Sequence, residues 1–137
     1  MSNQQSNEGI VQSGGTIIAD QLAVGRFAII SGTVNKTISE LKSSEAASAA
    51  SLAEYLKQLQ TAIENDSNLP PSGKADALEQ VQEIAKAGRN PDSETTQKLV
   101  KAASRTLKGM LTELPNATQF IEACTKLLPF ITKIFGF

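Results

Sequence analysis

The sequence predicts a mainly α protein: a four-helix bundle over residues 35–137, preceded over residues 1–34 by a β-hairpin or a single β-solenoid-like coil. Two observations carry this. From Asn35 onward apolar residues recur three and four positions apart, the period of an amphipathic helix, and the runs are bounded by start and stop residues. Before Asn35 lie five of the nine glycines, interleaved with Ile10, Val11, Thr16, Ile17, Ile18, Val24, Ile29, Ile30 and Val34, a composition that reads as strand and turn.

Within the N-terminal segment, Ile18, Val24 and Ile30 stand six residues apart, each followed by a small or turn-forming residue, which gives the hexapeptide rhythm of a β-helix. One such coil cannot bury both of its faces, so this form requires stacking on other molecules. The local alternative pairs residues 16–22 with 27–33 as a hairpin turning near residues 24–26. In either form Ile18, Gln21, Leu22, Val24, Gly25, Phe27 and Ile30 are the candidate assembly residues. An apolar β segment whose only charges between residues 10 and 34 are Asp20 and Arg26 has edges open to pairing.

The first helix is expected from Thr37 to about Asp66, opened by the capping-box pair Thr37 and Glu40. Leu52, Leu56, Leu59 and Ile63 form its inner face, and the small-residue run of residues 43–51 is its weak point. Pro70, Pro71 and Ser72 open a second helix with Ala77, Leu78, Val81, Ile84 and Ala85 inward, stopped near Gly88. Asn90 before Pro91 suits the start of a third, whose stripe is Leu99, Val100, Ala103, Leu107, Met110, Leu111 and Leu114, with Pro115 as its end. Asn116 and Gln119 form a second capping-box pattern. They precede a fourth helix bent at Pro129, with Phe120, Ile121, Cys124, Leu127, Leu128, Ile131, Ile134 and Phe135 on one side.

Composition narrows the chemistry. The chain has 137 residues, no histidine, one cysteine and a net charge of −1. The commonest general base and metal ligand is therefore missing, and an internal disulfide or Cys-only zinc site is excluded. Gly73-Lys74 lacks the flanking residues of a phosphate loop, Glu79 and Glu83 read as surface carboxylates, and Cys124 sits on an apolar face with no base beside it. No enzyme activity, cofactor or metal is expected. The polar start without an apolar run predicts a cytoplasmic protein.

Two features point to contacts. Phe120, Phe130, Phe135 and Phe137 are concentrated in the last 18 positions. With Leu127, Leu128, Ile131 and Ile134 they form either the core face of the last helix or a face that enters a membrane or partner groove on activation. Lys98, Lys101, Arg105 and Lys108 form a basic stripe, either solvated and neutralised by Asp76, Glu79 and Glu83 or directed at anionic lipid. No nucleic acid is expected, because no stacking aromatics accompany these cations.

The run Gly14-Gly15-Thr16-Ile17-Ile18-Ala19-Asp20-Gln21-Leu22-Ala23-Val24-Gly25 resembles the short Gly- and Gln-containing motifs of bacterial amyloid-signalling and conflict-system proteins, which are tethered to helical effector domains. It departs from their apolar-Gln-apolar-Gly core by two extra residues between Gln21 and Gly25. The resemblance implies a homo-oligomer, templated by a receptor with a related β motif, in bacterial defence or regulated cell death. The function expected is thus a non-enzymatic, self-assembling signalling or effector module. The alternative is a membrane-active, pore-forming or toxin-like protein acting through its C-terminal helix.

Overall fold

A computed structural model describes residues 12–44 and 47–136, with side chains from Leu22 onward. Among these residues there are five helices and no strands: α1 (Gln12–Lys42), α2 (Ala47–Asn65), α3 (Pro71–Ala87), α4 (Glu94–Glu113) and α5 (Thr118–Ile134). The helix-rich expectation for residues 35–137 holds. The β-hairpin or β-coil expected over residues 1–34 is replaced from Gln12 onward by helix, and residues 1–11 lie outside the described part.

The reason is visible in the burial pattern of α1. Val34, Ile38 and Leu41 are buried, and Phe27 and Ile30 pack partly against the same core. The intervals 27, 30, 34, 38 and 41 are three or four residues, so one face of a continuous helix reaches the bundle. The β-branched residues and glycines that suggest strand and turn are accommodated in that helix. Thr37 therefore opens nothing: it lies inside α1, where its hydroxyl donates to the Thr33 carbonyl at 3.1 Å and accepts from Gln82 Nε2 at 3.0 Å.

The single long helix expected from Thr37 to Asp66 is broken at its small-residue run. α1 ends at Lys42 and α2 begins at Ala47, because the run supplies little apolar area per turn to hold a straight helix on the core. α2 then contributes Leu52, Leu56, Leu59 and Ile63, all fully buried, and touches α1, α3 and α5. α3 starts with Pro71 at its first position and closes at Gly88, as the Pro and Gly signals predict. α4 begins at Glu94 rather than beside Pro91; the Asn90 carbonyl instead accepts from Ser93 N–H in a turn. Leu99 also leaves the expected inner stripe and is about half exposed, whereas Val100, Ala103 and Leu107 are buried.

α5 is the core helix. Phe120, Cys124, Leu127, Leu128 and Ile131 are buried along it, and Phe135 follows at its C-cap. The expected Asn116–Gln119 capping box does not form, since the N-cap is Ala117 with no side-chain bond. A buried carboxylate from another part of the chain, Asp66, takes over that role.

Candidate contact surface on the first helix

Arg26 fixes the N-terminal half of α1 to the bundle. Its guanidinium donates to Asp76 Oδ1 at 2.9 Å and to Glu79, one turn further along α3. The hydrogen bond to Asp76 raises the Arg26 pKa further above its ordinary value; burial opposes this, and the nearby charges of Glu79 and Asp76 add to it. At the next residue, the Lys74 ammonium stands 5.5 Å from the centre of the Phe27 ring, while also donating to the Glu64 carbonyl at 2.8 Å. Ser31 adds a bond to the Glu64 carboxylate. These contacts fix the rotation of α1, and so decide which residues face away.

The residues that face away are apolar. Leu22 is 69% exposed and Ile29 73%, seven residues apart and therefore on one stripe of the helix, with Gly25 between them and Gly32 beyond. Leu22, Gly25, Arg26, Ile29 and Ile30 line a shallow depression of about 380 Å³. Gly25 and Gly32 have no conformational reason to be glycine, because neither has a positive φ, and apart from the adjacent backbone of α1 no atom of the described residues lies within 4 Å of where their Cβ would stand. Each lowers helix stability by about 1 kcal/mol relative to alanine. The stripe combines large exposed apolar side chains with unexplained gaps beside them.

The expected assembly residues thus separate onto two sides. Leu22, Val24 and Gly25 are exposed; Phe27 and Ile30 turn toward the core. Ile18 and Gln21 belong to the backbone of α1, but their side chains lie outside the described residues. Ile29 and Gly32 join the outward group and are absent from the strand-based set. The signal for them is the seven-residue repeat of Leu22 and Ile29 and of Gly25 and Gly32, which a six-residue β rhythm hides.

The C-terminal candidates are mostly committed to the interior. Phe120, Leu127, Leu128, Ile131 and Phe135 are buried and Ile134 is partly buried; Phe137 lies outside the described residues. Phe130 is the exposed member, and its ring stacks on Tyr55 of α2 with centroids 5.5 Å apart. Among the described residues no helix is long and apolar enough to cross a membrane.

Lys98, Lys101, Arg105 and Lys108 do share the exposed side of α4. The acidic residues expected to neutralise them are otherwise engaged: Asp76 and Glu79 bind Arg26, and Glu83 sits 3.7 Å from Lys86. Lys98 instead lies 3.9 Å from Glu94 on its own helix. Between α4 and α5 a groove of about 440 Å³ is lined by Lys108, Leu111, Cys124, Leu128 and Pro129. Burial pushes the Cys124 thiol up to about 12, the direction opposite to that of an activated nucleophile. No group of three His, Cys, Asp or Glu side chains able to hold a metal ion occurs among the described residues. The chain matches no family model, no curated protein and no solved structure.

Proposed function

We propose that this chain is a non-enzymatic contact module, a helical bundle that acts by presenting the outer stripe of α1 to another protein. The observation that carries this reading is the pairing of Leu22 and Ile29, about 70% exposed on a helix whose opposite side is anchored in the core. Exposed Leu and Ile scattered singly need no explanation, but two on one stripe beside two unexplained glycines form a patch. A buried, protonated Cys124 and a histidine-free sequence support the non-enzymatic part.

The reading keeps the contact role expected of residues 18–30 but changes its physical form, from strand edges to a helix face. The signalling or effector setting, in bacterial defence or cell death, rests on the resemblance of residues 14–25 and is proposed on that ground alone. Membrane insertion through α5 would first have to extract Phe120, Leu127, Ile131 and Phe135 from the core, which makes the outer face of α1 the better-supported surface.

A photo-reactive phenylalanine analogue placed at position 29 of the full chain tests this in the cells that make the protein. Discrete cross-linked species are expected from position 29 and none from position 112, an exposed polar site on α4. Equal yields from both positions, or no product at position 29, would reject the reading.

A further inference from the structure

We propose that the partner of the α1 stripe is a second copy of this chain, packed antiparallel so that each large residue of one copy covers a glycine of the other. The inference rests on the contact-module reading above and names its partner. Along the stripe the residues alternate Leu22, Gly25, Ile29, Gly32, with spacings of three, four and three. In a parallel pair, equivalent positions meet, so Leu22 would face Leu22, Gly25 would face Gly25, and every second layer would be empty. Reversing one helix about a twofold axis places Leu22 over Gly32 and Ile29 over Gly25, and the same two layers recur by symmetry. All four layers are then filled, and the helices approach closely enough to use the space at Gly25 and Gly32 that this chain leaves open.

Charge favours the same arrangement. Asp20 and Arg26 are the only charged residues from 12 to 35; the twofold lies level with Phe27 and brings the two Arg26 residues to one flank, where each is already neutralised by Asp76 and Glu79 of its own chain. Lys36 occupies the next outward position, exposed, four residues after Gly32. A parallel pair would bring the two Lys36 ammonium groups together; the antiparallel pair separates them by about 27 Å, eighteen residues of helix rise. α1 is 31 residues long. The stripe from Leu22 to Lys36 is about 21 Å of helix rise, so its pairing buries on the order of 700 Å² in total, the size of a weak, transient interface, and the dimer forms in a concentration-dependent way.

The test is sedimentation equilibrium of the full chain up to roughly 100 μM, where a dimer with a Kd of about 10 μM is mostly associated. The unmodified chain is expected to move from monomer to dimer, and Gly25→Gln/Gly32→Gln to bind itself at least tenfold more weakly with undiminished helical content. Orientation is read by disulfide trapping in a Cys124→Ala background. A chain carrying Leu22→Cys mixed with one carrying Gly32→Cys should give the mixed disulfide, whereas Leu22→Cys alone should not cross-link. A monomer throughout, an unweakened Gln variant, or cross-linking of Leu22→Cys to itself would each overturn the proposal. A monomer in solution that still gives a position-29 product with a different protein would end this proposal and leave the contact-module reading standing.

Discussion

The backbone N–H of Phe120 donates to Asp66 Oδ2 at 3.0 Å, so the start of α5 is capped by a side chain 54 residues earlier in the sequence. The other oxygen, Oδ1, accepts from Asn68 N–H at 2.9 Å in the loop that Asp66 begins. One buried carboxylate therefore fixes the α2–α3 loop and the entry of the core helix together. Phe120 is the third residue of α5, and an acceptor there meets one of the amides that a helix cannot satisfy internally.

Replacing Asp66 by alanine removes the acceptor of the buried Phe120 amide and of the part-buried Asn68 amide, and a loss of about 2 kcal/mol is expected, most of it from Phe120. Asp66→Asn keeps one acceptor and should lose less. Urea unfolding followed by circular dichroism measures both; equal stability of all three proteins would show that the cap contributes nothing.

Glycine-to-alanine changes should have opposite signs at two places. At Gly88 a Cβ would stand 2.5 Å from Leu52 Cδ2 and 3.1 Å from Leu41 Cδ2, two leucines fixed in the core. Gly88→Ala is expected to destabilise by about 1–3 kcal/mol through overpacking. At Gly25 the same added methyl meets open space, and Gly25→Ala should stabilise the dilute monomer by up to about 1 kcal/mol. Thermal midpoints of the two variants decide this, with a fall for one and a rise for the other.

Phe120 and Phe130 lie on the same helix but in different surroundings, one fully buried and the other about half exposed against Tyr55. Phe120→Ala should cost about 3–5 kcal/mol, enough to unfold a marginal bundle, while Phe130→Ala should cost about 1 kcal/mol. Similar losses from both would contradict the placement of the α5 face in the core.

Cys124 gives a pH dependence whose sign follows from burial. The folded thiol titrates near 12 and the unfolded thiol near 9.0. Above the lower value the unfolded chain releases a proton that the folded chain keeps. Its contribution to stability is complete below about pH 9 and falls by roughly 1.4 kcal/mol per pH unit above it, until the folded thiol itself ionises. The stability difference between the unmodified protein and Cys124→Ala should shrink from pH 9 to pH 10; a constant difference would show that the thiol ionises equally in both states.

The boundaries of α3 and the inward residues of α2, α3 and α5 are legible in sequence because Pro71, Gly88 and the three-and-four spacing act locally. α1 is not, for a physical reason. Its apolar residues occur on all sides, with Phe27, Ile30 and Val34 inward and Leu22 and Ile29 outward, so no single stripe stands out and the glycines and β-branched residues dominate the reading. The cap at Phe120 is hidden for a different reason: Asn116 offers a local acceptor pattern, and only the fold brings Asp66 there instead. Within residues 18–30, where the sequence leads one to expect contacts, the helix exposes Leu22, Gly25 and Ile29, with Gly32 beyond them, and turns Phe27 and Ile30 toward the core.

If the outer stripe of α1 is a contact surface and its partner is a second copy, the solution mass of the full chain differs from that of Ile29→Asp across the same concentrations. Ile29 is 73% exposed, so its replacement leaves the core intact. A monomer–dimer equilibrium is expected for the unmodified chain and a monomer with unchanged helical content for Ile29→Asp. Identical masses for the two proteins at every concentration would contradict it.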